Sequence, residues 1–153
     1  MNNDNITNHT IKRFNNEVIE LFSKYKNITI KYKENLIILT INNKEIHINN
    51  KYPFHPPCVY INSKPYAQFL NIKSHKITQI LKKYIKTDCL CCSTLLCASN
   101  WTATYHIQKI MDEINYINEL KKIVRYNLAV IELCDKKMIP TEIGETIIRY
   151  LNH

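Results

Sequence analysis

The chain has 153 residues, of which 45% are hydrophobic and 22% charged, an ordinary globular composition that suffices for one domain with its own core. Its single glycine, Gly144, excludes glycine-rich phosphate loops, because the P-loop and the dinucleotide-binding fingerprint each require several glycines. The formal net charge of +8 suits an acidic partner. Because the lysines are spread along the whole chain, we expect no specific nucleic-acid binding.

The N-terminal residues 1–8 are polar and contain no apolar signal core. No stretch approaches the roughly 18 apolar residues that a membrane span needs. We therefore expect an intracellular protein, cytoplasmic or nuclear, with no membrane segment. Since thiols stay reduced inside cells, disulfides are the least expected use of the six cysteines.

The first predicted element is a helix. Residues 1–9 are polar and predict a disordered start. From Ile11 to Tyr25 the apolar residues recur at steps of three and four, which predicts a helix over about 10–26. Thr10 directly precedes this stripe and is a candidate N-cap.

The apolar period changes to two after this helix, which indicates strands. Asn42-Asn43-Lys44 has turn chemistry and separates two of them. The predicted strands cover about 27–33, 35–42, 45–49 and 58–62. A helix laid on a four-stranded antiparallel meander is an α+β architecture.

The segment Tyr52-Pro53-Phe54-His55-Pro56-Pro57 lies between the third and fourth predicted strands. Its three prolines fix φ and remove backbone donors. The segment is therefore expected to be a rigid extended turn, because it cannot lie inside a sheet.

Helical periodicity returns in the second half of the chain. It predicts an inserted helix over 74–86, a long helical stretch from Thr102 or Thr104, and a last helix opened by Pro140. Whether the long stretch is one helix or two is left open, with 115–118 as its weakest place. We expect one domain over 10–153: a core of about 10–120 and a C-terminal helical extension of 121–153.

Four cysteines, Cys89, Cys91, Cys92 and Cys97, fall within nine residues, just before Trp101, the only tryptophan. Without disulfides, the cluster is a reactive thiol, a metal site or a set of small buried hydrophobic residues. The spacing of Cys89, Cys92 and Cys97 is compatible with zinc, and His106 could complete a Cys3His set. These alternatives stay open on the residues alone, and with zinc bound the chain would be a metal-stabilised interaction domain rather than an enzyme.

The order of helix, meander, Tyr-Pro-Phe-x-Pro-Pro, strand, cysteine, tryptophan and helices resembles the ubiquitin-conjugating enzyme family, whose domain is the UBC fold. Arg13 and Glu17 of the first helix, the segment Tyr52–Pro57, a cysteine followed by hydrophobic residues, and Trp101 carry the resemblance. It covers residues 10–120, and Tyr-Pro-Phe-x-Pro-Pro is its most specific motif.

The resemblance implies a transferase that uses no cofactor of its own. A cysteine would accept ubiquitin or a ubiquitin-like protein as a thioester from an activating enzyme, which consumes the ATP. The modifier would then pass to a lysine of a protein substrate or to a ligase cysteine. Sulfur suits both steps, since it is a good nucleophile at neutral pH and a good leaving group afterwards.

The chain departs from the family at the oxyanion site. The family supplies an asparagine from a His-Pro-Asn loop before the cysteine, and this motif is missing here. Asn71, in Phe69-Leu70-Asn71, stands at about the expected distance and is the surviving candidate. The inserted helix 74–86 then separates it from the cysteines. The missing motif also favours the alternative of a catalytically inactive module that binds ubiquitin or a ligase.

Three cysteines are candidates for the nucleophile. Cys92 has the family's following hydrophobic pair and lies nine residues before Trp101. Cys89 has the commoner Cys-Leu start but lies twelve residues from Trp101. Cys91 is preceded by a leucine, although its hydrophobic spacing is poorer, and Cys97 lies too near Trp101. The prediction is Cys92 first, then Cys89, with Asn71 as the oxyanion stabiliser.

Overall fold

The computed structural model describes residues 6–71, 74–82 and 90–151. The chain divides into two compact units, one of residues 1–71 and 90–113 and one of residues 72–89 and 114–153. The architecture is α+β, with an N-terminal helix, an antiparallel sheet and C-terminal helices, so the predicted class is confirmed. The single-domain expectation stays a prediction. In the described part of the chain, no helix has the length and apolarity to cross a membrane.

Helix α1 covers Asn8–Lys24 and begins two residues earlier than predicted. Its N-cap is Thr7, whose hydroxyl accepts a hydrogen bond from the Thr10 N–H at 3.2 Å. The prediction of Thr10 as the cap and of disorder up to residue 9 is therefore wrong at residues 8–10. Thr10 is instead fully buried, and its hydroxyl donates to the Tyr52 carbonyl at 2.9 Å.

The sheet follows α1 and has five antiparallel strands in the order β1-β2-β3-β4-β5. They are β1 Ile28–Lys33, β2 Leu36–Ile41, β3 Lys44–Ile48, β4 Cys58–Ile61 and β5 Lys64–Pro65. The four predicted strands are confirmed to within a residue or two, but the short β5 was not predicted. Asn62 and Ser63 both have positive φ, which a two-residue hairpin turn requires and which Asn tolerates.

Alternation places one face of the sheet in the core of the first unit. On β2 the side chains of Ile37, Leu39 and Ile41 are fully buried, whereas their neighbours are half-buried. The other fully buried large side chains of this unit come from α1, β3, the proline-rich segment and the start of the long helix: Phe14, Leu21, Ile46, Ile48, Tyr52, Ile107, Ile110 and Met111.

Over the described residues, five helices follow the sheet: α2 Tyr66–Leu70, α3 His75–Lys82, α4 Leu90–Ser93, α5 Ile107–Asp135 and α6 Thr141–Leu151. The long stretch is one continuous helix, and it starts at Ile107 rather than near residue 102 or 104. The predicted inserted helix is found as α3, and residues 83–86 of that prediction lie outside the described residues. The short α2 and α4 were not predicted, because five and four residues hold too little periodicity to detect.

Within the second unit, α6 lies close to the last turns of α5. A methyl group on Gly144 would overlap the Sγ of Cys134 and would contact Val130 at 3.4 Å. The only glycine of the chain is therefore needed for a close approach between two helices, not for a turn.

Candidate functional site

The buried carboxylate of Glu17 joins three segments of the first unit. The Tyr52 hydroxyl donates to its two oxygens at 2.9 and 2.7 Å, and the Ile107 N–H at the start of α5 donates at 2.8 Å. Arg13 forms an ion pair with the same carboxylate. Burial, with Glu17 next in effect, raises the pKa of Tyr52 well above its usual range. The carboxylate thus holds α1, the Tyr52–Pro57 segment and the N-terminus of α5 together.

Trp101 is anchored to the proline-rich segment. Its indole N–H donates to the Pro53 carbonyl at 2.7 Å in a buried hydrogen bond. The Tyr52 ring lies at a centroid distance of 6.2 Å from the indole, and the Tyr52–Pro53 peptide bond is cis. Trp101 follows the cysteine cluster directly, so this contact fixes where the cysteine segment ends.

Cys92 lies in the short helix α4 and is exposed. The Asn100 side-chain amide donates to the Cys92 carbonyl at 2.8 Å and to the Thr94 carbonyl at 3.0 Å. An amide group has two N–H donors, and both are used here. Asn100 therefore closes the loop from Cys92 to Trp101 and holds the backbone beside the thiol.

A second carboxylate, Glu113 of α5, also holds this loop. It accepts hydrogen bonds from the Thr94 hydroxyl, from the Leu95 N–H at 2.7 Å and from the Tyr66 hydroxyl at 3.0 Å. Burial and the Glu113 charge raise the pKa of Tyr66 well above its usual range. Sequence reasoning missed Glu113, because nothing in the spacing separates it from the exposed Asp112 beside it.

Asn71, the predicted oxyanion stabiliser, is the C-cap residue of α2 and is exposed. Its N–H donates to the Gln68 carbonyl at 3.3 Å. Over residues 6–71, 74–82 and 90–151 its side chain forms no hydrogen bond. The structure therefore shows no contact that joins the Asn71 amide to Cys92, and its role stays a prediction.

The other cysteines of the cluster differ from one another. Cys89 lies outside the described residues. Cys91 is disulfide-bonded, so the expectation of reduced thiols is wrong at this position. The Cys91 Sγ is 3.9 Å from the Cys92 Sγ. With its sulfur in a disulfide, Cys91 has no thiolate to offer, whereas Cys92 is a free thiol.

Cys97 has a feature that sequence reasoning missed. Its half-buried thiol lies 3.1 Å from the Ser99 hydroxyl. Hydrogen bonds from the Ser99 side chain and then from its backbone lower the pKa of the Cys97 thiol. The local Cys-x-Ser spacing was the available signal. These hydrogen bonds thus favour the thiolate form of Cys97.

The structure does not gather the proposed zinc ligands. His106 lies beside Arg13, with its Nδ1 3.2 Å from the guanidinium and 3.7 Å from the Glu17 carboxylate. Among the residues for which the structure gives positions, no three His, Cys, Asp or Glu side chains are grouped so that they could hold a metal. Cys89 is not among those residues, and His106 does not join Cys92 and Cys97.

Comparisons of the chain with protein-family models, with curated proteins and with solved structures found no match. Support for a function therefore comes from the chain's own residues. The two hydrogen-bonded carboxylates, the Trp101 contact and the exposed Cys92 are the features that a function has to explain.

Proposed function

We propose that this chain is a conjugating enzyme of the ubiquitin type with a UBC-like fold, and that Cys92 carries ubiquitin or a ubiquitin-like protein as a thioester. The hydrogen bond from Trp101 to the Pro53 carbonyl carries the proposal. It joins the proline-rich segment to the end of the cysteine segment, which the resemblance had linked only by their order along the chain. The helix–sheet–helix order supports the same interpretation.

The chemistry requires an accessible thiol, and Cys92 is exposed. In the first step its thiolate attacks the carbonyl carbon of the modifier's C-terminus, held on a cysteine of the activating enzyme. The new C–S bond forms, the old one breaks, and the activating enzyme's cysteine leaves as a thiolate. In the second step a neutral lysine amine attacks the same carbon, Cys92 leaves as a thiolate, and the surplus amine proton passes to water.

Both steps pass through an oxyanion that needs a hydrogen-bond donor. The Asn100 amide lies nearby in the loop but is already committed to the carbonyls of Cys92 and Thr94. The Asn71 amide has no such commitment among the described residues. We therefore assign the oxyanion to Asn71 and give Asn100 the role of holding the loop.

A second candidate is a catalytically inactive module that binds ubiquitin or a ligase. The exposed Asn71, which has no side-chain contact with Cys92 in the described parts of the chain, favours this candidate, because a preorganised donor is what lowers the barrier. The two candidates differ in one observable property, the formation of a thioester.

The deciding experiment mixes the purified protein with activating enzyme, ATP and ubiquitin, and resolves the products on a non-reducing gel. We expect a thiol-sensitive adduct of one ubiquitin. It should be lost in Cys92→Ser, which leaves a thiol-resistant ester instead, and kept in the matched controls Cys58→Ser and Cys97→Ser. The Cys89→Ser and Cys91→Ser variants run beside them, and loss in one of these alone would contradict the assignment to Cys92.

The donor assignment is tested in the discharge step. The charged protein is chased with free lysine, and the rate of thioester loss is measured. Asn71→Ala is expected to slow discharge by about 100-fold without preventing charging. The conjugating-enzyme proposal would be refuted if a protein with a native circular dichroism spectrum formed no adduct with ubiquitin or with ubiquitin-like proteins. The inactive binding module would then be the remaining candidate.

A further inference from the structure

The Glu113 carboxylate joins the two segments that carry the reaction proposed above. Its Oε1 accepts hydrogen bonds from the Tyr66 hydroxyl of α2 at 3.0 Å and from the Thr94 hydroxyl, two residues after Cys92. Its Oε2 accepts a hydrogen bond from the Leu95 N–H at 2.7 Å. All of these residues belong to the first unit. One side chain of α5 is therefore shared between α2 and the loop that follows the nucleophile.

On the α2 side, this contact lies one short helix away from the proposed oxyanion donor. Tyr66 is the first residue of α2 and is buried, and its ring stacks on Phe69 at a centroid distance of 5.6 Å. Asn71 is the C-cap of the same helix, and its N–H donates to the Gln68 carbonyl. At 1.5 Å per residue, Tyr66 and Asn71 are about 7.5 Å apart along the helix axis. A hydrogen bond that fixes Tyr66 therefore limits the positions that Asn71 can take.

On the side of the nucleophile, Glu113 binds a loop whose backbone is held close to the thiol. Thr94 is buried, and its hydroxyl accepts a hydrogen bond from the Leu96 N–H at 3.2 Å while it donates to Glu113. A hydroxyl can do both at once. The Asn100 amide donates to the carbonyls of Cys92 and Thr94. A shift of the Glu113 carboxylate would thus be transmitted to the backbone beside Cys92.

The chemistry of these contacts couples α2 to the loop. Hydrogen bonds to a carboxylate are stronger than those between neutral groups. Burial, with the Glu113 charge next in effect, raises the pKa of Tyr66, so its hydroxyl keeps its proton and stays a donor at neutral pH. Because the hydroxyls of Tyr66 and Thr94 share one oxygen, loss of either changes the position that the carboxylate takes for the other.

We propose that Glu113 is a positioning residue for transfer of the modifier, because through Tyr66 it sets the place of Asn71 relative to the Cys92 thioester. This role rests on the proposed function. An oxyanion donor has to lie within hydrogen-bond distance of the developing charge, and a misplacement of about 1 Å can slow a reaction about 100-fold. Glu113 acts through Asn71 and not on the reacting atoms.

The test is a double-mutant cycle on the rate of thioester discharge to free lysine. Tyr66→Phe removes the hydroxyl and keeps the ring. We expect it to slow discharge about tenfold in the natural chain and less than about twofold in an Asn71→Ala background, because displacing the donor has no effect once the donor is absent. Loss of stability alone would slow discharge equally in both backgrounds. Tyr32→Phe on β1, where the residue is 61% exposed, is the matched control and should leave the rate unchanged.

Amide hydrogen exchange measured by NMR tests the coupling without a thioester. Thr94→Val removes the hydroxyl on the loop side and is expected to speed exchange at the Asn71 N–H about threefold. Tyr66→Phe should speed exchange at the Leu95 N–H by a similar factor, since a coupling between two sites is reciprocal. Thr94→Val should also slow discharge. Thr94→Ser, which keeps the hydroxyl, should restore both the discharge rate and the protection of Asn71.

The outcomes separate this role from the proposed function. If the natural chain forms no thioester, the proposed function fails and the positioning role fails with it. If the chain charges and Asn71→Ala slows discharge, but Tyr66→Phe slows it equally in both backgrounds or not at all, only the role of Glu113 is overturned. Unchanged exchange at Asn71 in Thr94→Val and at Leu95 in Tyr66→Phe would also overturn it.

Discussion

Glu17 shows how one residue can organise the first unit. The residue is 6% exposed, and a buried carboxylate is tolerated only when its oxygens are hydrogen-bonded or paired. Here the Tyr52 hydroxyl, the Ile107 N–H and Arg13 meet that need. The carboxylate therefore acts chiefly as a structural junction, and it also caps the N-terminus of α5, whose positive end it complements.

We expect Glu17→Ala to lower the free energy of unfolding by about 3–5 kcal/mol, because Arg13 and the Tyr52 hydroxyl lose their buried acceptor. Urea unfolding followed by circular dichroism measures this change. Glu20→Ala on the same helix is the matched control, since Glu20 is exposed and its ion pair is with the equally accessible Lys24. An equal effect of the two variants would contradict the junction role of Glu17.

At the scale of elements, the contact between α5 and α6 depends on a glycine, Gly144, which has no side chain. Gly144 lies in the first turn of α6, where alanine would be the better helix former by about 1 kcal/mol. The neighbouring Cys134 sulfur occupies the space that an alanine methyl group would need. Tertiary contact therefore overrides helix propensity at this position.

This conflict predicts that the effect of Gly144→Ala on the free energy of unfolding changes sign when the Cys134 sulfur is removed. Gly144→Ala in the natural chain should lower the free energy of unfolding by about 1–3 kcal/mol, because it overpacks the contact. In a Cys134→Ala background the sulfur is gone, and the same substitution should be neutral or stabilising by up to about 1 kcal/mol. A double-mutant cycle in urea measures the coupling between the two sites, and the same sign in both backgrounds would disprove the clash.

At the scale of the whole molecule, two buried tyrosines make stability depend on alkaline pH. Burial and the carboxylates of Glu17 and Glu113 raise the pKa values of Tyr52 and Tyr66 above the ordinary value of 10.0. In the unfolded chain both ionise near pH 10, whereas in the folded state both keep their protons. Above pH 10 the unfolded state thus binds fewer protons, so the stabilisation is complete below pH 10 and is lost as the pH rises further.

The free energy of unfolding should therefore fall above pH 10, with a limiting slope of about 1.4 kcal/mol per pH unit for each tyrosine. Tyr66→Phe should remove one of these contributions and flatten the slope. Tyr150→Phe is the control, because that ring is 83% exposed, and it should leave the slope unchanged. Urea unfolding between pH 8 and pH 11.5 measures it, and equal slopes in the two variants would contradict the prediction.

The local elements were largely predictable from the sequence. A stripe at steps of three and four indicated α1 and α5, and alternation indicated β1 to β4, because periodicity records which side of an element is buried. The errors occurred where the apolar periodicity is short or ambiguous. The cap of α1 was placed at Thr10 because Thr10 directly precedes the apolar stripe, whereas the helix is capped three residues earlier by Thr7. The elements α2, α4 and β5 are too short to show a period.

Contacts between distant residues were decided only by the tertiary structure. The α+β class, the order of the elements and the cysteine candidates could be predicted from the sequence alone, since they depend on neighbouring residues. It did not indicate that Glu17 would bond Tyr52 and Ile107, that Glu113 would hold the loop after Cys92, or that Asn100 would be committed to two carbonyls. Such partners lie far apart along the chain, and only folding brings their donors and acceptors within hydrogen-bond distance.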